Sequence, residues 1–131
     1  MKKSILLTFV FILTITMGFS QSKTDITKAS FGVRGNCGMC KATIEKAVNN
    51  IDGVSSAIWD RDNKIIDVSF DVSKTNLMEM HKAISFSGYD TEMSIASEES
   101  YNNLPGCCQY DRQMKINISP TKKEDHSDHK H

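Results

Sequence analysis

The chain has 131 residues, with sixteen Lys and Arg balanced by sixteen Asp and Glu, and this length allows one small domain rather than two. No basic patch interleaved with aromatic residues appears, which argues against nucleic acid as a partner. Seven Met and four Cys make so short a chain rich in sulfur.

Met1, Lys2 and Lys3 precede an apolar run from Ile5 to Met17 that only threonines interrupt, and small residues follow at Gly18 and Ser20. That order predicts a secretory signal over residues 1–20, removed after about Ser20. The run is shorter than the ~20 residues of a spanning helix, and no basic stop-transfer cluster follows it. The expected location is therefore periplasmic or secreted, with no stable membrane insertion once the signal is gone. Residues 21–27 read as a linker.

From there short strands alternate with helices. Phe31 and Val33 alternate with small or polar neighbours as a first strand ending near Arg34-Gly35. Ile44, Ala47, Val48 and Ile51 recur at helical spacing over about 38–50. Val54 to Asp60 reads as a second strand, and Arg61-Asp62-Asn63-Lys64 as a polar turn. Ile66, Val68 and Phe70 then alternate as a third strand. A second helix is expected over about 74–87, with Leu77, Met80, His81 and Ile84 on one stripe and Gly88 stopping it. His81 on that apolar stripe reads as a hydrogen-bonded core histidine. Residues 92–96 read as a last strand.

The order β-α-β-β-α-β predicts an α+β, ferredoxin-like sandwich over residues 28–96, a four-stranded antiparallel sheet with both helices on one face. Residues 97–118 form an extension that opens with a short helix and carries adjacent Cys107 and Cys108. Residues 119–131 are charged and polar and read as a disordered tail. His126, His129 and His131 in that tail are weak chelating groups without an ordered frame.

The cysteine arrangement carries the chemistry. In an exported chain four cysteines first suggest two disulfides. Here, however, two stand as Cys37-Gly38-Met39-Cys40 and two are adjacent, the spacing of ligands or redox thiols rather than of staples across a core. Cys37 falls in the loop leaving the first strand and Cys40 in the first helical turn. The unpaired N–H groups and positive dipole end there stabilise thiolate. Two converging thiolates suit a soft ion, Cu(I), Hg(II) or Ag(I), whereas Zn(II) wants two further ligands. Gly38 is expected to permit close backbone approach, and Met39 is a candidate thioether near the ion, with an ordinary buried or exposed Met as the alternative. Cys107 and Cys108 are candidates for additional ligands or for a redox partner of the first pair. A thiol–disulfide redox protein using the same Cys-x-x-Cys is the alternative.

Gly35 to Cys40 (GNCGMC) between strand and helix, the Ile51-Asp52-Gly53-Val54 turn, and Ser87-Gly88-Tyr89-Asp90 after the second helix together resemble the heavy-metal-associated domain. This is the fold of copper chaperones, of modules of copper-pumping ATPases and of the periplasmic mercury-binding protein. The resemblance implies that Cys37 and Cys40 bind the ion and that Tyr89, in the loop after the second helix, shields or tunes the site. A Tyr there leans towards Cu(I). The implied partner is a metal-transporting ATPase or another metal-handling protein, and the implied role is binding and transfer rather than enzymatic catalysis. Arg34-Gly35-Asn36 stands where the family usually reads Gly-Met-Thr, so the family's core Met before the first Cys is absent.

Overall fold

The structure is a computed structural model that describes residues 23–116. The expected signal and the three tail histidines lie outside these residues. Among those described, β1 (Ile26–Gly32), α1 (Gly38–Asn49), β2 (Val54–Asp60), β3 (Ile65–Asp71) and α2 (Leu77–Phe86) build the sandwich, and α3 (Glu98–Asn102) with a 3-10 turn at Gly106–Cys108 follows. β1 begins within the stretch expected as linker, because Ile26 to Ser30 pair with Asp71 to Asp67.

The sheet has the order β1-β3-β2, with both pairings antiparallel. Strand periodicity sends alternate side chains to one face. Phe31, Ala57, Trp59, Ile66, Val68 and Phe70 are buried against the helices, while Ser56, Ile58 and Asp67 face outward. α1 contributes Ile44 and Val48 to the same core, and α2 contributes Met80 and Ile84. Burying such side chains is worth roughly 1.5–3 kcal/mol each. His81 is buried as expected, its Nδ1 2.7 Å from the Thr91 hydroxyl and its ring against Phe31.

Turn chemistry sets the boundaries. The Asp60 carboxylate accepts hydrogen bonds from the backbone N–H groups of Asp62 and Asn63, which closes the β2–β3 turn. After β3 the Asp71 carboxylate accepts from Ser73 N–H and its hydroxyl, and the chain turns there instead of entering the helix. α2 therefore starts at Leu77, later than the expected Lys74. Asn76 is its extended N-cap and accepts from Glu79 N–H at 3.1 Å.

The expected fourth strand at 92–96 is reduced to one antiparallel bridge, Val33 to Thr91, beside β1. Arg34 N–H donates to Asp90 O and Glu92 N–H to Gly32 O, so the chain does take the edge position that a fourth strand would fill. Side chains end the pairing. Thr91 Oγ1 accepts from Met93 and Ser94 N–H, and Asp90 Oδ1 accepts from Ala96 N–H at 2.9 Å. Amides captured this way are unavailable to a ladder. The ferredoxin-like class stands, with a three-stranded sheet and a bridge in place of four strands.

The extension folds back on the domain. Tyr110 is fully buried, and its hydroxyl accepts from Asp90 N–H at 2.8 Å while donating to Gly88 O at 3.0 Å. Its ring stacks on Tyr89 and meets Tyr101 edge-on. Arg112 bonds both Asp90 carboxylate oxygens, at 2.8 and 3.2 Å, and also Ala96 O. Arg34 reaches the same carboxylate at 3.5 Å. Asp90 thus joins the segment after β1, the edge segment and the extension.

Candidate metal centre

Cys37 is the N-cap of α1, with extended backbone and no side-chain capping bond, and its carbonyl accepts from Lys41 N–H. Its sulfur is free to lie beside the open N–H groups of the first turn. The Cys40 N–H lowers the Cys37 pKa most, burial opposes it, and the Cys40 side chain, the Met39 N–H and the Cys108 thiol lower it further, to about 7. No acidic residue occupies that turn, so nothing there repels a thiolate.

The loop ahead of Cys37 is held from below. A Cβ on Gly35 would lie 2.9 Å from the Trp59 ring and 3.2 Å from Ile44, so only glycine fits over the indole. Lys64 Nζ donates to Gly35 O at 2.7 Å and Trp59 Nε1 to Val33 O at 3.2 Å. Gly38, expected to be the close-approach glycine, has nothing within 4 Å of an added Cβ. Close approach belongs to Gly35.

Five sulfurs gather at this end of the domain, four from cysteines and one from Met39. Cys37 Sγ is 3.6 Å from Cys40 Sγ and 3.8 Å from Cys108 Sγ, and the three sulfurs lie within 4.8 Å of one another. Cys40 and Cys108 are buried, Cys37 is half-buried and Cys107 exposed. Burial, followed by the neighbouring Cys40 thiol, pushes the Cys108 thiol up to about 12. Cys107 and Met39 lie on the outside, their sulfurs 3.7 Å apart, with Cys107 Sγ 3.9 Å from Cys108 Sγ.

Tyr89 closes the inner side. It is fully buried, beside the Cys40 and Cys108 thiols, and its hydroxyl completes no hydrogen bond. Burial raises its pKa far above the usual phenol value, so it is a neutral donor. Sequence reasoning singled out all four cysteines, Met39 and Tyr89. It missed Tyr110, Arg112 and Asp90, which seat the extension. Asp90 stood in the sequence only as the end of the Ser87-Gly88-Tyr89-Asp90 motif, and no local pattern marks Tyr110 or Arg112.

A ferredoxin-like sandwich carrying a Cys-x-x-Cys at the start of its first helix defines a class of small soft-metal-binding domains. The heavy-metal-associated domain model matches residues 35–90. Copper chaperone CopZ of Staphylococcus aureus (strain Newman) is 46% identical over 55 residues, which are 42% of this chain and 81% of that protein. A solved CopZ metallochaperone shares 41% identity and covers 50% of this chain and 98% of its own, with a TM-score of 0.49. A solution structure from Bacillus anthracis strain Ames, described as a candidate copper-ion-binding protein, shares 26% identity over 53% of this chain and 99% of its own, with a TM-score of 0.51. The chain belongs to the heavy-metal-associated domain family.

Proposed function

We propose that this protein binds Cu(I) through Cys37 and Cys40 outside the cytoplasm and passes it to a metal-transporting ATPase or another metal-handling protein. The observation that carries this reading is the pair of sulfurs 3.6 Å apart at a helix N-terminus, one half-buried and one buried. The half-buried Cys37 leaves a face from which an incoming thiolate can approach. Exchange then runs by addition of that thiolate to the ion and departure of an original sulfur, with no change in oxidation state. The similarity to a copper chaperone favours Cu(I) over Hg(II), Ag(I) and Zn(II), and the role is binding and transfer rather than catalysis.

Competition between the reduced protein and a Cu(I) chelator tests this. The wild type should withdraw one Cu(I) per chain. Cys37→Ser should lose at least a hundredfold in affinity, because a hydroxyl is a poor ligand for a soft ion. Wild-type affinity in Cys37→Ser would sink the assignment. No Cu(I) uptake, coupled with disulfide-reductase activity on a protein substrate, would support the thiol–disulfide reading instead.

A further inference from the structure

We propose that Cys108 is a third thiolate ligand, so that the extension converts the two-sulfur loop into a three-sulfur shell for Cu(I). This rests on the metal-binding reading above and adds to it the ligand number and the residue that supplies it.

Three observations carry the inference. The first is the spacing of the sulfurs. Metal–thiolate bonds of about 2.3 Å put trigonal ligands about 4.0 Å apart and linear ones about 4.6 Å apart. The observed 3.6 and 3.8 Å from Cys37 to Cys40 and Cys108 lie nearer the trigonal value. A trigonal ion then requires Cys37 Sγ to part from the other two sulfurs by only a few tenths of an ångström, and all three already lie within 4.8 Å of one another.

The second is that Cys108 is placed by structure at every level. Pro105 opens the 3-10 turn, and Cys108 N–H donates to its carbonyl at 2.8 Å. Two residues on, Tyr110 is anchored to Asp90 and Gly88, the residues flanking Tyr89. Tyr101 donates to Tyr110 O at 2.6 Å, and Arg112 clamps Asp90. Cys107 shares the 3-10 turn, but its side chain is exposed and its sulfur lies towards Met39.

The third is Tyr89. A buried hydroxyl without a hydrogen bond costs stability, and such a group in a folded protein calls for an explanation. Its neighbours are the two buried thiols. A thiol is a weak acceptor, whereas a thiolate bound to a metal is a strong one. Loading the ion completes the partner that the hydroxyl lacks and offsets part of the negative charge. Cu(I) gains three bonds to sulfur, each ligating thiol gives its proton to water, and no electron moves.

X-ray absorption of the Cu(I)-loaded full chain counts the ligands, and chelator competition measures what each contributes. The wild type should show three Cu–S contacts. Cys108→Ala should show two shorter ones and a loss of tens-fold or more in affinity. Cys107→Ser should match the wild type in both measurements. Circular dichroism of Cys108→Ala verifies folding, and the wild-type spectrum decides the question even if that variant does not fold. Two Cu–S contacts in the wild type overturn the inference, as does undiminished affinity in folded Cys108→Ala, while loss of binding in Cys37→Ser would keep the two-cysteine reading intact. Undiminished, wild-type affinity in Cys37→Ser would overturn both.

Discussion

Replacing Tyr110 with Phe removes one oxygen and tests how the extension is held. The ring keeps its contacts with Tyr89 and Tyr101, but Asp90 N–H and Gly88 O lose partners at 2.8 and 3.0 Å in a buried place. A buried polar group left unpaired costs about 1–3 kcal/mol, so the pair should cost on the order of 3 kcal/mol. The least expensive response is release of the extension, which lets water reach both groups. At about 1.4 kcal/mol per tenfold, the open population should rise by about two orders of magnitude. Cys108 reports it, because its thiol is buried when the extension is seated. In a metal-free Cys107→Ser background, peptide-resolved alkylation should label Cys108 roughly a hundredfold faster in Tyr110→Phe. Acceleration below about threefold, with an unchanged urea midpoint, would show that the Tyr110 hydroxyl does not secure the extension.

Two further expectations concern the loop and the turn after α2. In the metal-free protein, alkylation of Cys37 should rise with pH about a midpoint near 7, since its lowered pKa keeps the thiolate present above that value; a midpoint at the ordinary thiol value would mean that the N–H groups of the first turn do not stabilise it. Gly88 has φ +103°, and a Cβ there would lie 2.8 Å from Ser100 O and 3.0 Å from Leu104. Gly88→Ala should therefore destabilise the protein by at least ~1–3 kcal/mol in urea unfolding, and an unchanged midpoint would refute the strain argument.

Local pattern made most of the sandwich legible. The helical recurrence of Ile44 and Val48 and the alternation of Ile66, Val68 and Phe70 both report burial on one face, and these residues are core. The β2 limits follow from flanking turn residues and coincide with Val54–Asp60. The fourth strand failed for a reason a periodicity reading does not weigh: Asp90 and Thr91 side chains take the amides that pairing needs. The start of β1 was hidden because Ile26, Thr27 and Lys28 are exposed. At the site, Cys37 and Cys40 are close in sequence, so helix geometry alone brings them together. Cys108 is 71 residues from Cys37. Its approach depends on Tyr110, Arg112 and Asp90 meeting across the chain, and no short-range spacing encodes that meeting.

Trp59 is the chain's only tryptophan, and it lies fully buried beneath Gly35, two residues before Cys37. The indole that supports the loop is thereby also a built-in optical gauge of it. Any change in the seating of that loop as an ion enters or leaves alters the surroundings of a single fluorophore. Metal exchange between this chain and a tryptophan-free partner could then be timed by intrinsic emission, with no label attached to the sulfurs under study.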